Sequence, residues 1–146
     1  MSPTSDLLTG IAQFLADQGV VTYRSDGSAY AASETGVVFG LMPQTPDRVV
    51  CLTDYPVNDA AANPWSQVRV QIRTRGVPND PLDNAQLRDA VNTALQSEAA
   101  LTFGSVTVAQ ALRISSIPMG IDDNRRFEYA DNYTFDVQLP STANRP

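Results

Sequence analysis

Near the N-terminus, apolar residues recur at helical spacing: Leu8, Ile11 and Leu15, with Ala12 beside them. Ser5 as N-cap, Asp6 near the positive end of the helix dipole and Gly19 as the stop predict a helix over residues 6–18, weakened by Gly10. From Tyr23 to Gly40 serine, alanine, glycine and aspartate dominate, with only short apolar pieces such as Val37-Val38-Phe39, which predicts turn and loop with one short strand. Pro43 and Pro46-Asp47 then punctuate the entry to Arg48-Val49-Val50-Cys51-Leu52-Thr53. This near-continuous β-branched run suits a strand covered on both faces, and Pro56 ends it.

Residues 57–64 carry turn formers and no apolar pattern, so they read as an exposed, mobile connection. Beyond them Val68, Val70 and Ile72 alternate with Gln67, Arg69, Gln71, Arg73 and Arg75, which defines a strand with a core face and a polar face. Asp80-Pro81 starts a second helix, predicted over 81–98, with Leu82, Ala85, Ala90, Val91, Ala94 and Leu95 facing inward. Gln86, Arg88, Asp89, Asn92 and Gln96 are left for solvent. Two further strands follow, Val106 to Ile117 and Arg126 to Leu139, joined by a turn-rich connection into a long hairpin, and residues 140–146 read as a loose tail. The predicted order is α-β-β-α-β-β: a two-layer α+β fold with two helices on one face of a four-stranded, mainly antiparallel sheet. Its other face, rich in arginine, glutamine, threonine and aromatics, suits water or a neighbouring subunit.

Composition narrows the chemistry. A chain of 146 residues with 42% hydrophobic content is the size of one domain, expected over 1–146 with an ordered core from 5 to 139. Histidine and lysine are both absent and all ten basic residues are arginine. That removes the usual general base, the usual zinc ligand and Schiff-base chemistry. No calcium-loop spacing or phosphate-cradling glycine pattern appears, so no metal, cofactor or catalytic residue is expected. Cys51 stands alone in an apolar setting and reads as a buried hydrophobe. The net charge of −6 counts against a grip on nucleic acid, though not against a wall that DNA slides past. No apolar run approaches the roughly 20 residues of a membrane-spanning helix, and no signal peptide is recognisable.

Several segments, in order, resemble the tail terminator and minor capsid family of tailed bacteriophages. The most specific is Gly40-Leu41-Met42-Pro43-Gln44-Thr45-Pro46-Asp47, followed by the strand Val49–Leu52 and by Asp54-Tyr55-Pro56. The strand Gln67–Gly76, closing on arginine and glycine, and the alanine-rich helix Ala85–Leu95 are similar to that family's central strand and second helix. The resemblance implies a non-enzymatic virion protein, made in the host cytoplasm. It would form a homo-oligomeric ring, commonly a hexamer, that ends the tail tube and joins it to the head connector. Its implied partners are the major tail tube protein and a head-completion protein, with DNA passing through the lumen without specific binding.

A closed ring needs a heterologous interface, and the candidate contacts are Arg69, Arg73 and Arg75 on one strand face and Trp65 beside the 57–64 segment. The charged turn Asp122, Asp123, Arg125 and Arg126 joins them. The competing reading gives these residues intrachain partners or solvent. Other functions left open are a different neck or head-completion protein, a small soluble binding domain, and a small carboxylate-based hydrolase or lyase using aspartates such as Asp54 or Asp59.

Overall fold

A computed structural model describes residues 2–59, 65–96 and 100–139. Among these residues lie two helices and six strands, in the order α1 (Pro3–Asp17), β1 (Gly36–Phe39), β2 (Val49–Asp59), β3 (Trp65–Arg75), α2 (Pro81–Leu95), β4 (Leu101–Phe103), β5 (Val106–Ile121) and β6 (Phe127–Gln138). The strands form one sheet in the order β1-β2-β3-β6-β5-β4. β1 runs parallel to β2 and the other pairs are antiparallel. The α+β class therefore stands, but the four-stranded, mainly antiparallel sheet does not: the sheet is six-stranded, mixed and curled into a half-barrel. β1 is the short strand expected within residues 23–40, though its place in the sheet was not; β4, of three residues, is too short to display an alternation in the sequence.

Boundaries shifted for identifiable reasons. Ser2, not Ser5, caps α1, its hydroxyl accepting from Ser5 N at 3.1 Å, and Pro3 takes the first helical position. Gly19, at φ +78°, follows the helix end. Asp80 caps α2 as predicted, accepting from Leu82 N and Asp83 N at 3.1 Å. β2 continues past Pro56 to Asp59 through a register shift between Pro56 and Asn58, so residues 57–59, expected in a loop, are strand. The remainder of that expected mobile connection, residues 60–64, and the expected loose tail 140–146 lie outside the described residues.

The core fills the space between the helices and one sheet face. Leu7, Ile11, Ala12 and Leu15 of α1 and Leu87, Val91 and Leu95 of α2 meet Val50, Leu52, Val70, Ile72, Tyr133, Phe135 and Val137. Each such aliphatic side chain contributes about 1.5–3 kcal/mol relative to exposure. The inward face of α2 differs from the predicted stripe: Leu82 is 69% exposed and Ala90 is exposed, while Asn84 is buried. Arg88 and Asn92, assigned to solvent, reach the sheet instead. Asn92 accepts from the Tyr133 hydroxyl at 2.9 Å, and Arg88 binds both oxygens of Asp131 at 3.0 and 3.2 Å with its guanidinium 3.8 Å from the Tyr129 ring centroid.

Gly10 is more than a weak helix residue. A Cβ there would lie 2.2 Å from Cγ of Phe103, so its absence lets β4 lie against α1. The same junction is tied by Asp6, which accepts from Ser105 N and Oγ at 3.0 and 2.6 Å. Gly10→Ala is therefore expected to lower stability by about 1–3 kcal/mol, against its favourable helix propensity, because the ring must be displaced. Urea unfolding of the two proteins checks this, and an unchanged or raised midpoint contradicts it.

Candidate assembly interface

Opposed residues of an antiparallel pair share a face, so the registers read out the sheet face turned away from the helices. Tyr55, Arg69, Thr134 and Leu112 form one row across β2, β3, β6 and β5, and Cys51, Arg73, Ala130 and Ile117 form another. Between them the Tyr55 hydroxyl donates to Asn132 Oδ1 at 3.2 Å, and Asn132 Nδ2 donates to Ser115 Oγ at 3.0 Å. Curling shelters much of this face: Ala130 and Cys51 are buried, and so are Asn132 and Glu128. Burial is also what pushes the Cys51 thiol up from its ordinary value.

The candidate arginines fall into different environments. Arg75 is 2% exposed and donates to three main-chain carbonyls, Asp47 O at 2.9 Å and Pro43 O and Pro46 O at 2.7 Å. Burial, and then the neighbouring charge of Arg126, holds its guanidinium below the ordinary arginine value. Arg126, also 2% exposed, binds Asp122 at 2.8 Å, Gln44 O at 2.7 Å and Asp47 Oδ1 at 3.2 Å. Arg73 lies half-buried and donates to Glu128 Oε1 at 2.6 Å. Arg69 has a buried Nε with no hydrogen-bond partner, and among the described residues nothing pairs with its guanidinium.

At the β5–β6 turn, Asp122 accepts from Arg126 N at 2.8 Å and from Asn124 N at 3.0 Å. Desolvation pushes its carboxyl up, but these amides and the Arg126 guanidinium outweigh it and hold the group below the ordinary aspartate range. Asp123 is exposed. Arg125 donates to Asn79 Oδ1, and Asn79 N donates to Arg125 O at 2.8 Å; both residues have φ near +62°. The turn is thereby latched to the β3–α2 connection. Trp65 opens β3 opposite Gln138, and its side chain lies outside what the structure describes.

The structure thus gathers Arg69 and Arg73 on one face, sends Arg75 and Arg126 inward, and leaves Asp123 and Arg125 at a hairpin tip. Sequence reasoning missed Tyr55 and Leu112 as neighbours of Arg69. Their separation in the chain hides them, and only the pairing of β2 with β3 and of β5 with β6 brings them into one row. Among the described residues no three Cys, Asp or Glu side chains gather as metal ligands would, and no helix is long and apolar enough to cross a membrane.

A curved sheet face with an unspent cation beside exposed aromatic and aliphatic groups is what a structural subunit presents to a neighbour. Over residues 14–139 the chain matches the family described as bacteriophage tail terminator protein, and it belongs to that family. No curated protein matches it. The family is a structural one, and membership makes the chain a virion component that assembles with other virion proteins.

Two predictions concern the Arg126–Asp122 pair. Arg126→Ala strands Asp122, Asp47 and the Gln44 carbonyl, and is expected to cost about 3–5 kcal/mol in denaturant unfolding. Arg126→Lys recovers only part of it, since one ammonium cannot reproduce the fork. Because Asp122 is held below its unfolded value, its contribution is present above about pH 4 and is lost as pH falls through the lower folded value. Asp122→Asn should lower stability at pH 7 and flatten the loss between pH 5 and pH 2 (a range on the order of that for carboxylates), as read by thermal melts across pH.

Proposed function

We propose that copies of this chain close into a ring, six in number as the family resemblance implies, which ends the tail tube and joins it to the head connector. The tail tube protein and a head-completion protein are its partners, and DNA passes the ring without specific binding. Membership of the tail terminator family over residues 14–139 carries this reading. Arg69 supports it from the chain's own chemistry: a guanidinium with a desolvated Nε and no acceptor among the described residues is a costly group in a free subunit. A carboxylate from another subunit would relieve it, and the chain carries sixteen acidic residues against ten arginines. The net charge of −6 favours such a protein acceptor over phosphate.

Arg73, Trp65, Asp123 and Arg125 extend the proposed contact around Arg69. Arg75, Arg126 and Asp122 serve it from beneath, by fixing the segment and turn that flank it. Arg69→Ala is expected to leave circular dichroism unchanged and thermal stability equal or higher, while a phage carrying it shows at least a tenfold drop in joined heads and tails by electron microscopy. Arg73→Ala and Trp65→Ala should impair joining in the same direction. Normal infectious yield from Arg69→Ala would overturn the assignment of that residue.

A further inference from the structure

The last exposed feature of the sheet is its β5 edge. β4 covers β5 only at Val106–Val108, while β6 pairs with it on the other side as far as Ile121. Beyond Val108 no other strand pairs with this edge among the described residues, and Leu112, Ile114, Ile117, Met119 and Ile121 of β5 are each 46–51% exposed. By register Leu112 and Ile117 lie on the face turned from the helices and Ile121 on the other, while Ile114 and Met119 fall at register shifts; exposed apolar side chains grouped along one strand edge are of the kind that marks an interaction site on a soluble protein. Residues 114–121 contain no charged side chain, and Arg113 at their border is turned toward Asp131.

At the opposite end of the same sheet lies a second uncharged apolar surface of different shape. Residues 36–46 carry no charge, Phe39 is 40% exposed and Leu41 is 80% exposed. Beside β1 opens a cavity of about 490 Å³ walled by Tyr23, Tyr30, Phe39 and Pro43. Its walls are pre-positioned. The Tyr30 hydroxyl donates to Val37 O at 2.7 Å and accepts from Arg24 N at 3.2 Å, and Tyr23 meets Phe39 edge to face at 6.1 Å. The one cation lining it, Arg24, is neutralised by Glu34, which it binds at 2.8 and 2.9 Å.

From these two surfaces we infer that the β5 strip of one copy of this chain docks into the β1-side cavity of the next, with Ile117 and Met119 entering between Tyr23, Phe39 and Pro43. The occupant is a second copy because the chain itself carries the matching socket. Four strand steps, roughly 19 Å of sheet, separate β1 from β5, so a subunit does not fill its own cavity. Two unlike surfaces at opposite ends of one subunit are what a heterologous, closing contact requires. A repulsion between chains of net charge −6 is limited because residues 114–121 carry no charge and the cation lining the cavity, Arg24, is paired with Glu34. The inference rests on the ring reading above, and gives a use to the long 23–40 segment.

The test places a benzophenone-maleimide on Met119→Cys in a phage supplied only with that variant. Cys51, the chain's one cysteine, is 4% exposed and does not react. On irradiation of purified tails, the expected product has twice the chain's mass, with the adduct mapped by mass spectrometry to residues 23–43 of the second copy. Ile117→Asp, folded by circular dichroism, should lower infectious yield at least a hundredfold. Adducts only on a different virion protein, or on β5 of a second copy, overturn the docking while leaving the ring standing. So does wild-type yield from Ile117→Asp. Tails that join heads without containing the chain overturn the ring reading itself.

Discussion

Two buried guanidinium groups hold together the part of this fold that the regular hydrogen-bond ladders cannot. β1 and β2 are parallel neighbours, and parallel strands ordinarily need a crossover of a dozen or more residues, usually helical. Here residues 40–48 make the return with no helix. Their carbonyls, at 43, 44, 46 and 47, are instead taken up by Arg75 and Arg126, one from the middle of the sheet and one from the far turn. An unsatisfied buried carbonyl costs on the order of 1–3 kcal/mol, so without the two forks the connection would have to open to water. The placement of β1, and of the cavity beside it, follows from that latch.

The long-range consequence is a division of labour among like residues. Arg75 is spent on main-chain oxygens, Arg126 on Asp122, Asp47 and the Gln44 carbonyl, Arg73 on Glu128, Arg88 on Asp131, and Arg24 on Glu34. Arg48 bridges Asp83 at 3.1 Å and Thr35 at 2.8 Å, tying the start of β2 to α2. Against this background Arg69 stands out through what it lacks. Among the described residues, where the other arginines are so consistently matched, this one is left without an acceptor on the face that curves away from the helices.

The sequence made the strongly periodic elements legible. Val68-Val70-Ile72 placed β3, Asp80-Pro81 placed the start of α2, and the hairpin of β5 and β6 was foreseen. The order of strands and the parallel pairing of β1 were not, because an apolar piece as short as Val37-Val38-Phe39 carries no sign of its partner. Nor does alternation tell Arg69 from Arg75: both sit on the polar side of one strand. Their fates diverge only because residues 43–47 fold over Arg75. The β5 strip was hidden for a related reason. Register shifts after Val108, Arg113 and Pro118 each leave one residue of β5 unpaired, so the period of two is broken before it can be read.

Those three shifts fall five residues apart, at Ala109, Ile114 and Met119. Each adds local twist and bends the strand, and together they lock it against sliding past β6, since a slip would have to undo all of them at once. An edge coiled in this way is a poor template for stacking strand upon strand without limit. Its coiling discourages fibrils. In a family whose business is to end one polymer, the same edge guards against seeding another.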